Sequence, residues 1–407
     1  MSPPPSHVHM LSMHTSPIAR PGSGDAGGMN VYVSQLARRL AGDGVPVTLH
    51  ALRRLRSEPV HLRLADGLDI HHHEVAGALG APKEELPAHV DAFTRAVLAA
   101  AEPGPGQLVH AHYWLSGLAG LDIAAALDAP LVSCLHTSAL VKNLRAAPGQ
   151  PLEGAERIAG ERRVVTGSQA LVVNTSTEAG QMADLYGADP DRLRVIAPGV
   201  DPGLHHPPRP DLRDAPGPAR PMEILMAARL QPLKGPDLLI SAVAELAGRG
   251  VAVHATITGD GPAGYMSWLR RLTARLAVAD RIAFVPAMPP GDLAERMRRA
   301  DVVAVPSASE TYGLVALEAQ ACATPVVASR ADGLTSAVAD GRTGVLVASR
   351  TPEAWADTLA ALAADPTRRR TLGRAGAVRA GRHTWSVVAE RTARLYADLL
   401  SAPARRG

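Results

Sequence analysis

The sequence predicts an α/β protein built from two doubly wound parallel sheets, one in each half of the chain. Short apolar segments of strand length alternate with amphipathic segments of helical length. Strands that alternate with helices form parallel sheets through right-handed crossovers. The alternation stops at a proline-rich stretch and then begins again. With 407 residues, of which 46% are hydrophobic, the chain is long enough for two cores.

Seven strands are predicted in the first half, and several are nearly continuous runs of valine, leucine and isoleucine. Such runs are typical of parallel sheets that are covered on both faces. Amphipathic patterns predict helices at residues 31–40, 90–101 and 155–166. The predicted strands are residues 8–13, 47–52, 68–74, 108–112, 131–136, 170–174 and 193–197.

The second half repeats this pattern after residues 202–221, which we interpret as a linker because proline at this density prevents both helix and strand pairing. Helices are predicted at residues 236–248, 265–277 and 291–300. The predicted strands are residues 223–227, 253–258, 282–285, 302–305, 326–329 and 345–347. We therefore predict an N-terminal domain over residues 1–201, a C-terminal domain over 222–382, and a final helical segment over 383–407 that can cross back to the N-terminal domain.

Composition narrows the class of protein. The formal net charge is only +3 and aromatic residues make up 3% of the chain, so little is available for stacking on bases and no nucleic-acid partner is expected. Cys134 and Cys322 lie in apolar segments, which argues against a disulfide framework and favours a cytoplasmic location. There is no run of eighteen apolar residues and no signal-peptide pattern, so no membrane association is expected.

A glycine-rich loop follows the first predicted strand and precedes the first predicted helix. It contains Gly24, Gly27 and Gly28. Glycines at this position let backbone N–H groups and the positive end of a helix approach an anionic ligand closely. The loop therefore predicts binding of a phosphate or a polyol.

Two further loops in the second half join a predicted strand to a predicted helix. The first carries Arg229 and Lys234, which offer a planar fork and a point charge to a phosphate. The second carries Glu310 and leads into a helix with Glu318, whose carboxylate is suited to hold a ribose diol. The backbone N–H groups of residues 312–315 form a second anion site at a helix N-terminus.

These residues resemble the donor-binding signature of glycosyltransferase family 4, whose members are retaining enzymes with the GT-B fold. Residues 14–17, 24–33, 110–117 and 136–143 are similar to the transferases of this family that join N-acetylglucosamine to a cyclitol. The similarity covers nearly the whole chain. It implies two facing Rossmann-like domains with an interdomain cleft, and a hexosyltransferase that needs no cofactor beyond its UDP-sugar donor.

The resemblance also implies roles for individual residues. Arg229 and Lys234 would stabilise the charge on the departing phosphate, His136 would touch the transferred sugar near the reacting carbon, and Glu310 would contact that sugar as well. No protein nucleophile would be required, because the leaving phosphate takes the proton of the acceptor. The donor-binding residues implied by the resemblance are Gly27, Gly28, Arg229, Lys234, Glu310, Tyr312, Gly313, Leu314, Val315 and Glu318.

The acceptor pocket departs from the family pattern. Asn30, Lys83, Tyr113 and Thr137 match the family, but Glu156 stands where the phosphate-binding arginine is expected. A shift of one residue would place Arg157 there instead, although the flanking residues argue against it. A carboxylate beside a phosphate is unfavourable, whereas beside an ammonium group it is attractive. Glu156 therefore predicts an uncharged or cationic acceptor.

From this charge we predict transfer of N-acetylglucosamine or glucose to 2-deoxystreptamine, an aminocyclitol of aminoglycoside antibiotic biosynthesis. One alternative is transfer to 1L-myo-inositol 3-phosphate, as in mycothiol synthesis. An alternative of another class is a hydrolysing UDP-N-acetylglucosamine 2-epimerase, against which the intact acceptor pattern argues. The expected partners are thus a nucleotide-sugar and a small cyclitol, with a homodimer as a further possibility.

We expect no metal site. His71, His72 and His73 are consecutive in a predicted strand, so their side chains alternate between faces and do not converge on one ion. Asp189 and Asp191 flank a proline before a strand, and we interpret them as part of a turn.

Overall fold

The computed structural model describes residues 4–22, 25–146, 151–208 and 220–402. The chain divides into two compact units. Unit 1 comprises Met1–Ala19, Gly28–Ala197 and Trp385–Gly407, and unit 2 comprises Arg20–Gly27 and Pro198–Thr384. The glycine-rich loop is therefore divided between the two units. Within the predicted linker, residues 202–221, residues 209–219 lie outside the described residues.

Unit 1 contains an eight-stranded sheet with the order β3-β4-β2-β1-β5-β6-β7-β8. All neighbouring strands are parallel except β3, which pairs antiparallel with β4 at the edge. The strands are β1 (His7–Leu11), β2 (Val47–Leu52), β3 (His61–Ala65), β4 (Leu68–His73), β5 (Gln107–His112), β6 (Leu131–Cys134), β7 (Ala170–Val173) and β8 (Leu193–Val195).

Helices of unit 1 follow the strands. α1 buries Val33, Leu36 and Leu40, whose spacing of three to four residues places them on one face of a helix. Two of the consecutive histidines on β4 have different partners. The ring of His72 contacts Ser16, and the ring of His73 contacts His50. The helices are α1 (Gly28–Gly42), α2 (Val90–Ala100), α3 (Trp114–Ala126), α4 (Ala139–Leu144), α5 (Ala155–Gly167) and α6 (Ser176–Tyr186).

Unit 2 contains a six-stranded, wholly parallel sheet with the order β11-β10-β9-β12-β13-β14. The strands are β9 (Met222–Ala227), β10 (Val253–Thr258), β11 (Ile282–Val285), β12 (Val302–Val305), β13 (Val326–Ser329) and β14 (Gly344–Val347). The helices are α7 (Pro236–Gly248), α8 (Ala263–Arg275), α9 (Pro290–Arg299), α10 (Leu314–Ala321), α11 (Leu334–Ala337), α12 (Pro352–Ala364) and α13 (Pro366–Ala380).

The last helix, α14 (Trp385–Ser401), belongs to unit 1. It packs against α1, where the rings of Trp385 and Tyr32 meet edge to face with centroids 5.4 Å apart. Further along, the hydroxyl of Tyr396 lies 2.6 Å from Nδ1 of the buried His110 on β5. The chain therefore returns to its first unit after completing the second. No helix within the described residues is long and apolar enough to cross a membrane.

Each sheet has one topological switch point, where the strand order reverses. In unit 1 it lies between β1 and β5, and in unit 2 between β9 and β12. Open α/β sheets bind ligands outside the carboxyl ends of the strands at such points. A ligand-binding site is therefore expected in the loops that follow these four strands.

The predicted α/β class is confirmed, and each predicted strand overlaps a strand of the structure. One difference is β3, which has mostly exposed side chains and therefore no apolar run to reveal it. Another is β6, predicted to residue 136 but ending at Cys134, because His136 adopts a positive φ of 59° that is incompatible with a strand. The aspartates at 189 and 191 form a short 3₁₀ turn, in which Asp189 accepts from the Asp191 amide at 2.9 Å.

Candidate functional site

The loop after β9 brings Arg229 against the glycine-rich segment in unit 2. A Cβ built on Gly27 would lie 3.4 Å from Nε of Arg229, so glycine permits this close approach. The amide of Asp260 also donates to the Gly22 carbonyl at 3.3 Å. Gly24 lies outside the described residues, and Gly28 begins α1 in unit 1.

Lys234 ends a 3₁₀ turn (Pro232–Lys234) that precedes α7. Its Nζ donates to Oε1 of Glu310 at 2.6 Å, and Oγ of Ser307 donates to the same oxygen at 3.0 Å. The lysine and glutamate side chains are 19% and 20% exposed. The loops after β9 and β12, the two strands at the switch point of unit 2, thus meet through an accessible ion pair.

Helix α10 begins shortly after Glu310 in the chain. Gly313 caps the helix with φ +95°, a conformation that glycine adopts without strain. Amides in the first turn, those of Leu314 and Val315 among them, lack partners within a helix and favour an anion. Tyr312 is buried beside the cap, and Glu318 lies half-buried further along α10. Glu310 precedes the helix, so only Glu318 is helical.

In unit 1, two cations contact the ring of Tyr113, and a threonine binds one of them. Nζ of Lys83 lies 5.1 Å from the centre of the Tyr113 ring, and Cζ of Arg157 lies 5.2 Å from it. Arg157 also donates through Nη2 to Oγ1 of Thr137 at 3.0 Å. The structure thus brings Lys83, Tyr113 and Thr137 together as predicted from the sequence, with a second cation among them.

Two carboxylates hold Arg157 in this position. Its Nε donates to Glu161 at 2.8 Å, and its Nη1 lies 2.8 Å from Glu153. Burial lowers the pKa of Arg157, but the surrounding Tyr113, Glu161 and Glu153 more than offset that effect, so its pKa is raised. The guanidinium therefore keeps its charge and its orientation.

The geometry around Tyr113 does not support the placement of Glu156 in the acceptor pocket, which stays a prediction. Glu156 is exposed on α5 and lines a surface pocket together with Glu84, Glu85 and His89. Successive residues of a helix point about 100° apart, so the neighbouring Arg157 faces Tyr113 while Glu156 does not. Of these two neighbours, Arg157 is thus the one that contacts Tyr113.

The side chain of Asn30 forms hydrogen bonds within unit 1. It is buried near the start of α1, and its Nδ2 donates to Oγ1 of Thr15 at 3.1 Å and to the Ser16 carbonyl at 2.7 Å. These bonds tie α1 to the loop that follows β1. A contact between Asn30 and an acceptor stays a prediction.

His136 lies at the carboxyl end of β6 with its ring hydrogen-bonded to a second histidine. Nδ1 of His112 and Nε2 of His136 are 2.9 Å apart. Burial lowers the pKa of His136 to about 3, so the ring is neutral at physiological pH. Together with Cys134, these histidines form the one group within the described residues whose ligand atoms lie close enough for a metal, within 4.8 Å. Since the two rings already bind each other, they need no ion to hold them.

Sequence reasoning considered Arg157 only as an alternative to Glu156, and it did not single out Glu153 or His112. A signal for the arginine was present, because Glu153 and Glu161 lie four residues before and after it. Carboxylates at that spacing mark one face of a helix. No comparable signal exists for His112, whose partner lies on the neighbouring strand and beyond its end.

Comparisons with known proteins agree with this architecture. The model of glycosyltransferase family 4 matches residues 26–204, and that of glycosyl transferases group 1 matches residues 209–379. The D-inositol 3-phosphate glycosyltransferase of Acidothermus cellulolyticus is 45% identical, over 98% of this chain and 91% of that protein. The enzyme of the same name from Segniliparus rotundus is 44% identical, over 96% and 88%.

Among solved structures, the sucrose-phosphate synthase of Thermosynechococcus elongatus has a TM-score of 0.89 and 27% identity, with 98% of this chain and all of that chain covered. Anabaena HepE, solved in complex with UDP and glucose, has a TM-score of 0.75 and 19% identity, with 97% of this chain and all of that chain covered. The second likeness is one of fold alone.

Proposed function

Because this chain belongs to glycosyltransferase family 4 and is therefore a glycosyltransferase with the GT-B fold, we propose that it transfers N-acetylglucosamine from a UDP-sugar to a hydroxyl of inositol 3-phosphate, with retention of configuration at the sugar. The observation that carries this proposal is the pair of cations, Lys83 and Arg157, which both contact the ring of Tyr113. The names of the two relatives that are similar along nearly the whole chain support it.

The charge around Tyr113 favours a phosphorylated acceptor. Arg157 presents a planar fork of donors and Lys83 a flexible point charge, and both are suited to a phosphate group. Lys142 adds a third cation, 2.9 Å from the Glu153 carboxylate that also contacts Arg157. An aminocyclitol such as 2-deoxystreptamine would meet like charges here. Glu156 is exposed, and the side chain of α5 that contacts the Tyr113 ring is the cation Arg157, so the charge beside the ring gives no argument for a cationic acceptor.

The donor residues of the proposal lie at the switch point of unit 2. Arg229 and Lys234 would hold the diphosphate, and the N-terminus of α10 offers further N–H donors to it or to the sugar. Glu318 would accept hydrogen bonds from the ribose, and Gly27 would let the phosphates approach the backbone. The solved complex of Anabaena HepE with UDP supports this choice of nucleotide.

In the proposed reaction, a hydroxyl oxygen of the acceptor forms a bond to C1 of the sugar, and the bond from C1 to the β-phosphate oxygen breaks on the same face. The proton of that hydroxyl passes to the departing phosphate, and UDP leaves. Arg229 and Lys234 stabilise the charge that grows on the phosphate, and one preorganised donor of this kind contributes about 10²–10³ in rate.

His136 contributes as a neutral group in this scheme. With a pKa of about 3, it is not a proton donor at physiological pH, which fits a reaction whose proton goes to the leaving group. Its backbone, held at φ +59°, supports a fixed hydrogen-bonding contact with the sugar. The positive φ has an energetic cost, and such strain is found at functional sites.

Mass spectrometry of the reaction products tests the acceptor directly. Purified protein would be incubated with UDP-N-acetylglucosamine and either 1L-myo-inositol 3-phosphate or 2-deoxystreptamine. We expect a conjugate of N-acetylglucosamine with the inositol phosphate only. A conjugate with 2-deoxystreptamine alone would overturn the proposal and restore the aminocyclitol hypothesis.

The proposal includes a cytoplasmic location, where nucleotide-sugars and cyclitol phosphates are available. A homodimer also remains part of it, and light scattering during gel filtration would measure the mass in solution against the 42.4 kDa of one chain.

A further inference from the structure

Glu153 places one carboxylate oxygen between two cations of the pocket around Tyr113. Its Oε1 accepts a hydrogen bond from Nζ of Lys142 at 2.9 Å and lies 2.8 Å from Nη1 of Arg157. The Glu153 side chain is 30% exposed, whereas that of Arg157 is 9% exposed. The carboxylate of Glu153 is therefore more accessible to solvent than the guanidinium that it contacts.

The backbone of Glu153 is fixed independently of these ion pairs. Its amide donates to Oδ1 of Asn143 at 2.8 Å, and Nδ2 of Asn143 donates to its carbonyl at 3.1 Å. Asn143 belongs to α4, which starts directly after the segment that carries Thr137. The carboxylate can therefore leave the cations by a change of side-chain rotamer, while the backbone keeps it nearby.

The second carboxylate on Arg157 is different. Glu161 is fully buried, and it also accepts from the Ala139 amide at 2.9 Å and from the Tyr186 hydroxyl. A buried carboxylate with several donors is costly to displace. Nε of Arg157 is thus committed to Glu161, and Nη2 to Thr137. The exchangeable contact of the guanidinium is the one at Nη1, with Glu153.

We propose that Glu153 is a specificity-determining residue whose carboxylate competes with the acceptor phosphate for Lys142 and Arg157. The inference rests on the proposed function for the identity of the acceptor. A dianionic phosphate replaces the single carboxylate charge on Lys142 and Arg157 and displaces Glu153. An uncharged cyclitol brings no charge with which to compete, so the carboxylate remains and the cations stay occupied. Selection for a phosphorylated acceptor thus comes from exchange of one anion for another.

Calorimetric titration of the full-length protein with inorganic phosphate tests the exchange without any need for turnover. In Glu153→Gln the competing charge is gone, and we expect phosphate to bind about tenfold more tightly, the effect of losing one competing ion pair. The matched control is Glu74→Gln, which removes an exposed carboxylate that pairs with Arg53 elsewhere in unit 1. That variant should bind phosphate as the unaltered protein does.

Weaker or unchanged binding by Glu153→Gln would overturn the proposal, because the carboxylate would then serve only to position Arg157. Glu153→Asp provides a second measurement if the first variant does not fold. Its shorter side chain keeps the charge but does not span both cations, so it should change the affinity in the same direction and by less. Unchanged or weaker binding by this variant would also overturn it.

Kinetics then separate this inference from the proposed function. With inositol 3-phosphate as acceptor, Glu153→Gln should lower KM about tenfold and leave kcat unchanged, since the reacting groups are untouched. If the unaltered protein does not glycosylate inositol 3-phosphate, the proposed function fails, while the phosphate titration still decides the role of Glu153.

Discussion

Lys234 and Glu310, 76 residues apart in the chain, form an ion pair of 2.6 Å in unit 2. The two residues lie together because each follows one of two neighbouring strands of the sheet, β9 and β12. In sequence, three helices and two strands separate β9 from β12. The carboxyl ends of parallel neighbours lie at the same edge of a sheet. The pair thus marks the place where we propose that the donor diphosphate binds.

The first prediction concerns this lysine. Lys234→Met should lower kcat about 10²–10³-fold, because a preorganised cation no longer stabilises the departing phosphate. Release of UDP at saturating acceptor measures the effect. Arg249→Met, which breaks an exposed pair with Asp357 in the same unit, is the control and should retain full activity.

The same variant leaves Glu310 without its cation, so a double variant separates the two effects. If the lysine acted only by neutralising the glutamate, Lys234→Met combined with Glu310→Gln would recover most of the rate. We expect no recovery. Retained activity of Lys234→Met alone would contradict the role assigned to it.

The second prediction distinguishes two neighbouring residues of α5. Arg157→Lys keeps the charge but loses the planar fork, and we expect KM for inositol 3-phosphate to rise about 10–100-fold. Glu156→Gln should change neither KM nor kcat, because its side chain is exposed away from Tyr113. A marked effect of Glu156→Gln with none from Arg157→Lys would return the acceptor site to Glu156. Initial rates at varied acceptor concentration provide the measurement.

The third prediction concerns the backbone that presents Lys234. Gly235 has φ +71°, and a Cβ there would lie 2.4 Å from the Pro306 carbonyl oxygen. Gly235→Ala should therefore destabilise unit 2 by about 1–3 kcal/mol or more and weaken donor binding. Gly248→Ala in α7, where a Cβ meets nothing within 4 Å, should instead stabilise the helix by about 0.5–1 kcal/mol. Thermal unfolding with and without UDP measures both, and equal effects of the two substitutions would contradict the argument.

The fourth prediction concerns acid stability. His9, His50 and His73 form a chain of hydrogen bonds across β1, β2 and β4, with nitrogen distances of 3.2 and 2.9 Å. Burial lowers the pKa of His9 and of His73 to about 4, and that of His50 well below its usual range. The unfolded chain binds protons at these histidines near pH 6.5, whereas in the folded chain His9 and His73 do not bind them until about pH 4, and His50 stays neutral over this range. The free energy of unfolding should therefore fall as the pH drops from 6.5 to 4.

Urea unfolding at several pH values measures this slope. Because a pKa shift of one unit corresponds to about 1.4 kcal/mol, His9 and His73 should each contribute roughly 1–3 kcal/mol across the window. Glu178, whose pKa burial raises to about 7, acts in the opposite direction, so the test compares variants. His73→Gln should flatten the slope, while His206→Gln, an exposed site in unit 2, should not. Equal slopes for all three proteins would argue against the histidine chain.

Local patterns predicted the strands well, because runs of valine, leucine and isoleucine report burial on both faces without reference to the rest of the fold. They failed at β3, an exposed edge strand, and at the end of β6, where His136 departs from the strand conformation. In both places neighbouring parts of the fold, and not the local apolar pattern, decide the conformation.

The sequence by itself determined the α/β class, the repeated strand-and-helix pattern and the loops that carry Arg229, Lys234 and Glu310, since all of these are local in the chain. Tertiary structure decided which side chains meet. It turned Arg157 toward Tyr113 and its neighbour away, because the packing of a helix selects which of its faces points inward. It likewise joined the loops after β9 and β12, because strand order in a sheet is set by crossovers that no local segment encodes.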